Sequence, residues 1–167
     1  KRVLTEGGEG TTPALHGNTL VLVWDHNDDS YIVAFDKRTG EELWRTGRDE
    51  LDTWATPIIV EHGGRAQVVT NGWSRLRSYD LETGEEIWYT TGLTPLTIPS
   101  PVAGDGMVYA MRGFNGAFLK AISLVDAHGD ITGTGAIAWS HNRDTPYVSS
   151  PLLYDDALYF TKYVHGI

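Results

Sequence analysis

The chain has 167 residues, a formal net charge of −9 and no cysteine. The acidic balance argues against nucleic acid or an anionic membrane as the main partner, because both attract surfaces rich in Lys and Arg. The lack of Cys excludes disulfides, thiol nucleophiles and Cys-ligated zinc, and no apolar run approaches the roughly 18 residues of a membrane-spanning helix.

In chain order, the predicted elements are short strands. They are runs of β-branched and aromatic residues bounded by Gly, Asn and Asp, and no segment has the sustained 3.6-residue period of a surface helix. The clearest runs lie at 20–24, 31–35, 58–60, 66–70, 107–111 and 157–161. The chain is therefore predicted to be all-β.

A longer pattern recurs along the chain. Residues 34–44 and 78–88 share Asp, Thr-Gly-Glu-Glu and Trp, and the closing residues, Trp44 and Trp88, are 44 positions apart. A degenerate third copy runs from Ala121 to Trp139, a step of 18 rather than 10, so it carries about eight additional residues around 128–130. Self-similarity at this period is typical of an array of equivalent structural units.

A second mark is a Ser or Thr followed by Pro, with Pro spacings of 44, 44 and 50. Its copies are Thr12-Pro13, Thr56-Pro57, Ser100-Pro101 and Ser150-Pro151. Each period has room for the four antiparallel strands of one β-propeller blade, and Pro is tolerated at the first residue of a strand. The predicted blades lie at about 13–56, 57–100 and 101–150, with a partial blade at 151–167 and residues 1–6 as a stray outer strand.

The longer pattern has a mechanical interpretation as a joint between blades. Asp36 is placed to accept backbone N–H groups in an Asx-type turn, and Gly40 supplies a positive φ. Trp44 then offers a large flat surface for stacking on the neighbouring blade. The predicted docking residues are Asp36, Thr39, Gly40, Trp44, Asp80, Thr83, Gly84, Trp88 and Trp139.

These residues resemble the tryptophan-docking motif of the pyrroloquinoline-quinone-like (PQQ-like) repeat propellers, Ala-x-Asp-x-x-Thr-Gly-x-x-x-Trp. Residues 34–44 match every signature position, 78–88 depart at Ser78, and the third copy retains Ala121 and Trp139. The family includes quinoprotein dehydrogenases, a periplasmic lipoprotein that helps to assemble outer-membrane proteins, and many bacterial repeat proteins, which this sequence resembles most. The resemblance implies an exported protein, periplasmic or secreted, in which the docking Trp residues are structural.

The resemblance does not place the Glu, Asn and Asp that hold calcium in the dehydrogenases. We therefore expect no cofactor. PQQ and Ca²⁺ are expected only if the chain is part of a dehydrogenase, which is the alternative function. The acidic run at 26–29 is interpreted as a solvated turn rather than a calcium loop, and the six His residues lack metal-ligand spacing. No metal site is predicted.

The candidate ligand-binding residues lie on loops at one end of the predicted blades. These loops are 26–29, 71–75, 112–116 and 162–166, together with 52–54 and 142–147. The candidates are Trp54, Trp73, Arg112, Phe114, Asn115, Arg143, Tyr147 and Tyr163. Aromatic rings with Arg and Asn suit peptides, sugars or a flat cofactor; in the alternative interpretation the rings seal the packing between blades and the Arg residues form surface pairs.

Three blades and parts of another do not make a closed ring, because propellers have about four to eight blades. We expect a fragment of a longer propeller; two copies joined head to tail, or one four-bladed ring, are alternatives. The predicted function is a non-catalytic scaffold whose loop-bearing end binds a protein, peptide or glycan. The alternative is part of a PQQ- and calcium-dependent alcohol or sugar dehydrogenase, and a third possibility is a structural propeller segment of a larger protein.

Overall fold

The computed structural model describes residues 10–93 and 95–162, and these form 15 β-strands without an α-helix. The first sheet has the order β1-β2-β3-β4. Its strands are β1 (Ala14–His16), β2 (Thr19–Trp24), β3 (Ser30–Asp36) and β4 (Glu42–Arg48). Each neighbouring pair is antiparallel, and nothing in the described ranges is a helix long and apolar enough to cross a membrane.

Two further sheets repeat this arrangement, and a two-stranded sheet follows. The second contains β5 (Ile58–His62), β6 (Arg65–Asn71), β7 (Arg75–Asp80) and β8 (Glu86–Thr91). The third contains β9 (Val102–Gly104), β10 (Met107–Arg112), β11 (Phe118–Ser123) and β13 (Ile137–His141). The last is β14 (Leu152–Tyr154) with β15 (Ala157–Tyr159). The predicted outer strand at 1–6 and the candidate Tyr163 lie outside the described residues.

The Ser/Thr-Pro marks link one sheet to the next. The backbone N–H of Thr12 donates to Oγ1 of Thr56 at 3.2 Å, that of Thr56 to Oγ of Ser100 at 2.9 Å, and that of Ser100 to Oγ of Ser150 at 3.0 Å. Thr56 and Ser100 therefore each accept one of these bonds and donate another. Pro suits the first residue of a strand, and the hydroxyl that precedes it accepts the hydrogen bond that connects successive sheets.

The repeated Asp-x-x-Thr-Gly segment forms an Asx turn in both good copies. Oδ1 of Asp36 accepts the N–H groups of Arg38 and Thr39 at 2.8 and 3.1 Å, and Oδ1 of Asp80 accepts those of residues 82 and 83 at 2.8 Å each. Gly40 and Gly84 have φ of 74° and 75°, so the two turns share a left-handed residue that favours glycine.

Trp44 docks the first sheet onto the turn of the second. Its Nε1 donates to the carbonyl of Leu81 at 2.9 Å, and a Cβ on Gly84 would lie 2.7 Å from Cδ2 of the indole. The hydroxyl of Thr46 also donates to the carbonyl of Gly84 at 2.7 Å. The ring therefore occupies the space in which any other residue at position 84 would place its side chain.

Trp88 docks differently, because the third copy of the motif carries an insertion. Its indole Nε1 donates to Oε1 of Gln67 in its own sheet at 2.9 Å. No heavy atom of the described residues lies within 4 Å of the Cβ position of Gly133, the turn glycine of that copy. Instead Trp88 is fully buried in the apolar cluster that also holds the inserted Ile131.

The insertion adds a strand to the neighbouring sheet. Strand β12 (Gly129–Asp130) pairs in parallel with β8, the N–H of Ile131 donates to the carbonyl of Tyr89 at 2.9 Å, and Oγ1 of Thr132 accepts the N–H of Thr91 at 3.0 Å. The second sheet thus has five strands, where the sequence analysis predicted four for every blade. The insertion covers an edge that would otherwise be open to pairing.

Apolar side chains fill the space on both faces of the second sheet. On β6, Val68 belongs to the buried cluster shared with the first sheet, whereas Val69 belongs to the cluster shared with the third. This follows from the period-2 alternation of a strand. In the third sheet Trp139 is 46% exposed, and Tyr109 is its ring neighbour at 6.0 Å between centroids.

Candidate ligand-binding loop face

The loops at one end of the sheets form a continuous set, which we call the loop face. It comprises the loops after each second strand and the segments that join successive sheets: 25–29, 72–74, 113–117, 49–57, 92–93, 95–101 and 142–151. In antiparallel sheets of this order these connections fall at one end. The tryptophan-docking turns lie at the other end, which we call the motif end.

In each sheet a side-chain hydrogen bond connects the end of the second strand, or the loop after it, with the segment that leads to the next sheet. In the first, Nδ2 of Asn27 donates to Oδ2 of Asp52 at 2.9 Å. In the second, Nδ2 of Asn71 donates to the carbonyl of Pro99 at 2.7 Å. In the third, Oγ1 of Thr145 donates to the carbonyl of Arg112 at 2.6 Å. The loops are therefore positioned by polar contacts rather than by strand pairing.

Buried polar atoms without a hydrogen-bond partner cluster on this face. Within the described part of the chain there are six such side-chain atoms, and all belong to residues on its loops or at the strand ends that lead into them. They are Nε1 of Trp24, Nε2 of His26, Oδ1 of Asp52, Oδ1 of Asn71, and Nε and Nη2 of Arg112. Native proteins satisfy nearly all buried polar groups, so this concentration makes the face the candidate site.

Two of the predicted site residues, Phe114 and Tyr147, form a stacked pair. Their ring centroids are 4.7 Å apart with an interplanar angle of 28°, and both side chains are half-buried. The backbones beneath them are closely packed, since a Cβ on Gly113 would lie 2.6 Å from the carbonyl carbon of Pro146. The third sheet thus presents an aromatic platform on the loop face.

The other predicted residues are spread along the face. Asn115 and Arg143 are exposed, and Asn115 has a φ of 51°. The side chain of Trp54 is half-buried and packs over Gly10, and the backbone N–H of Trp54 donates to the carbonyl of Thr97 at 3.1 Å. Trp73 is half-buried in the loop between β6 and β7. Arg112 is buried, with 1% of its surface exposed, rather than projecting from the rim.

A buried ion pair that was not predicted from the sequence supports the loop face. Arg48 donates from Nε and Nη2 to the two carboxylate oxygens of Asp25 at 2.7 and 2.9 Å, and from Nη1 to the Tyr79 hydroxyl at 2.8 Å. The hydroxyl of Thr53 adds a bond to Asp25 at 2.7 Å. Both charged side chains are fully buried. Burial lowers the pKa of Arg48, but the Asp25 carboxylate and its neighbours raise that pKa above its ordinary value overall.

A second buried arginine is neutralised in a similar way. Arg77 donates from Nε to Glu50 at 3.0 Å and from Nη1 to Glu86 at 2.7 Å, and it also pairs with Asp49. Glu50 accepts the N–H of Ser74 at 2.8 Å as well. Burial lowers the pKa of Arg77, but its charged and hydrogen-bonded neighbours raise it above the ordinary value overall. The carboxylate partners of Arg77 are 9 to 28 positions away in the sequence, so no local sequence motif predicts these ion pairs.

The successive four-stranded antiparallel sheets, joined by docked Trp side chains and carrying their loops at one end, define a set of β-propeller blades. A comparison with known families then gives the particular class: the family model described as outer membrane protein assembly factor BamB matches residues 28–162, and the chain belongs to this family. The predicted resemblance to PQQ-like repeat propellers and the predicted fold class are confirmed.

Individual relatives include an outer membrane protein assembly factor and a methanol dehydrogenase subunit. The chain is 29% identical over 96 residues to outer membrane protein assembly factor BamB of Francisella salina, covering 58% of this chain and 17% of that protein. It is 28% identical over 94 residues to methanol dehydrogenase [cytochrome c] subunit 1 of Methylobacterium organophilum, covering 51% and 14%. The crystal structure of BamB from Moraxella catarrhalis superposes with a TM-score of 0.62 at 20% identity, over 92% of this chain and 44% of that one.

The chain therefore spans less than half the length of each of these relatives. In the described ranges no group of three or more His, Cys, Asp or Glu side chains is arranged to hold a metal ion. In the acidic loop at 26–29, the N–H groups of Asp28 and Asp29 donate to Nδ1 of His26 at 3.1 and 3.3 Å, so this segment forms a turn closed by the imidazole.

Proposed function

We propose that the chain is a segment of a non-catalytic propeller that binds a protein or peptide through its loop face in the periplasm. The observation that carries the proposal is the gathering of six unpartnered buried polar atoms at that one end. The similarity to an outer membrane protein assembly factor supports a protein ligand, and that similarity together with the methanol dehydrogenase match supports an exported location.

The unpartnered atoms offer both donors and acceptors, as recognition of a peptide requires. Nδ1 of His26 accepts two backbone N–H groups, so the neutral ring carries its proton on Nε2 and donates there. Trp24 adds an indole N–H donor, whereas Asp52 and Asn71 contribute carbonyl or carboxylate oxygens. A buried polar group left unpaired costs about 1–3 kcal/mol, and a ligand that pairs it would recover that free energy on binding.

The stacked rings of Phe114 and Tyr147 supply the apolar part of such a site. Rigid aromatic side chains dominate many protein-binding hot spots, because they bury a large area with little loss of conformational entropy. Asn115 and Arg143 are exposed on the same two loops as these rings and suit the polar rim that surrounds a hot spot.

A selection from a library of random peptides, followed by affinity measurements on single peptides, tests the proposal. We expect Trp24→Phe, Asn115→Ala and Arg143→Gln to weaken binding, by about tenfold where a hydrogen bond is lost. The matched controls at the motif end, Asn18→Ala and Arg38→Gln, should bind within about twofold of the wild type. Peptides that bind all five variants equally, or that lose affinity to the controls instead, would contradict the proposal.

The second candidate function is a segment of a PQQ- and calcium-dependent dehydrogenase, which the methanol dehydrogenase relative favours. The described residues offer no metal-holding group, so we assign none of them to calcium or quinone. Added PQQ with Ca²⁺ would raise the melting temperature if the native protein binds them, by mass action. A rise that depends on both additives would favour this candidate over the scaffold.

A further inference from the structure

Within the described ranges three buried arginines lie at or near the loop face, and one of them has no carboxylate partner there. Arg48 and Arg77 are each held by carboxylates at hydrogen-bond distance. Arg112 ends the second strand of the third sheet with 1% of its surface exposed, and its Nε and Nη2 have no hydrogen-bond partner. Burial lowers its pKa, and no carboxylate of the described residues compensates for this. An arginine side chain remains charged throughout the physiological range, so this burial leaves an unneutralised cation.

The two unpartnered atoms of Arg112 occupy one edge of the guanidinium. Nε–H and Nη2–H point in the same direction and match the two oxygens of a carboxylate. Arg48 shows this pairing within the same fold, since its Nε and Nη2 hold the two oxygens of Asp25 at 2.7 and 2.9 Å. The corresponding edge of Arg112 is thus shaped for a carboxylate that the described residues do not supply.

A small, exposed residue lies close to the two terminal nitrogens of the Arg112 guanidinium. A Cβ on Gly116 would lie 3.9 Å from Nη2 and 4.0 Å from Nη1 of Arg112, and Gly116 and Asn115 are themselves exposed. The exposed segment 115–116 therefore lies next to the guanidinium terminus, in the same loop as Phe114. Because Arg112 is 1% exposed, a ligand reaches it only when neighbouring residues such as the exposed segment 115–116 move.

We propose that Arg112 is the anion-recognising residue of the loop face and that it binds a carboxylate carried by the peptide or protein ligand. This inference rests on the proposed function. It narrows the ligand class to one with a free carboxylate, from an acidic residue or from the C-terminus of a peptide, next to a group that packs on Phe114 and Tyr147. Gly116 has a φ of 125°, so a residue with a side chain there would both strain the loop and obstruct the approach.

Small probes test the proposal on the 167-residue protein by NMR titration of the Arg112 Nε–H resonance. The probes are a capped Gly-Glu-Gly peptide, its Gln counterpart, a Gly peptide with a free C-terminus, succinate and inorganic phosphate. We expect the Glu peptide, or the Gly peptide with a free C-terminus, to bind at least about 10-fold more tightly than the Gln peptide. The reason is that a carboxylate forms a charge-assisted pair with the guanidinium, whereas the Gln amide does not. Binding of succinate or phosphate without either peptide carboxylate would overturn the assignment to a peptide.

Substitution separates recognition from a structural role. Arg112→Met should abolish the preference for Glu over Gln and raise the melting temperature by about 2–8 °C, because it removes a buried unpaired charge. Arg112→Lys should keep part of the preference, and the charge-matched control Arg38→Gln at the motif end should keep all of it. A destabilised Arg112→Met protein that still prefers Glu would refute the proposal.

The two proposals can fail separately. Peptides that bind the loop face with no preference for a carboxylate would leave the proposed function intact and remove the role of Arg112. The converse result is that the carboxylate probes require Arg112 for binding while the selected peptides bind equally well to the loop-face variants. That result would reject the loop face as the peptide-binding site and retain Arg112 as an anion site.

Discussion

Replacement of Gly84 by Ala would measure tryptophan docking, because Gly40 provides the same backbone without a docked ring. The two glycines hold the same motif position with φ of 75° and 74°, so the strain of an Ala in the left-handed region, about 1–2 kcal/mol, is common to both. A Cβ at position 84 would lie 2.7 Å from Cδ2 of Trp44, whereas no heavy atom of the described residues comes within 4 Å of one at position 40.

The difference in stability between the two variants comes mainly from the docking of Trp44, with a smaller share from Oγ1 of Thr46, which lies 2.9 Å from the same Cβ position. Displacing Trp44 gives up its bond to the carbonyl of Leu81, worth about 1 kcal/mol, and aromatic packing of roughly 1–3 kcal/mol. Gly84→Ala should therefore be about 2–4 kcal/mol less stable than Gly40→Ala. In urea, with a slope of roughly 1–3 kcal/mol per molar, the midpoints should differ by about 1 M or more.

A double-mutant cycle supplies the check on this reasoning. In a Trp44→Ala background the ring is absent, although a Cβ at position 84 still meets Oγ1 of Thr46 at 2.9 Å. The excess cost of Gly84→Ala over Gly40→Ala should therefore fall to about 1 kcal/mol or less. Equal urea midpoints for the two glycine variants in the wild-type background would refute the docking role of Trp44.

Three further predictions concern stability. Arg48→Met should cost about 3–5 kcal/mol by leaving buried Asp25 unpaired, and Asp25→Ala added to it should recover part of that loss in urea unfolding. Partial burial raises the pKa of Asp80, but the bonds from Arg65 and from two backbone N–H groups lower it overall. The stability that the Asp80 carboxylate contributes is therefore present above about pH 4 and is lost as the pH falls through the folded-state pKa. Asp80→Asn should accordingly make the stability depend less on pH in an acid titration. Ser100→Ala should cost about 1 kcal/mol by leaving Thr56 N–H without its acceptor, whereas Ser100→Thr should cost less.

Local chemistry explains why the sheets were predictable from the sequence. The Asx turn at Asp36 and the left-handed Gly40 recur at Asp80 and Gly84 because each turn needs the same residues in the same order. The position of the insertion was predictable too, from the spacing of the third copy. Its pairing with β8 was not, because parallel pairing with a strand of another sheet leaves no periodic trace in so short a segment.

The loop face was predictable in outline and not in detail. Strand order alone assigns the loops to one end, which is how Phe114 and Tyr147 could be expected near one another. Burial of Arg112 was not predictable, since arginine is mostly exposed in folded proteins. The partner of Arg48 is 23 positions away, so its neutralisation depends on the path of the backbone between β2 and β4 rather than on any sequence motif.

The distance between the two ends of the sheets limits what the docking motif can do for binding. A strand of six residues is about 20 Å long, twice the screening length of roughly 8–10 Å at physiological salt. The carboxylates of the motif end, Asp36 and Asp80, therefore contribute little to the potential at the loop face. There Arg48 and Arg77 are neutralised by their own partners, whereas Arg112 is the buried arginine without a carboxylate partner among the described residues, in a protein of net charge −9. Selectivity for an anionic group can thus be changed at the loop face without altering the joints that hold the blades together.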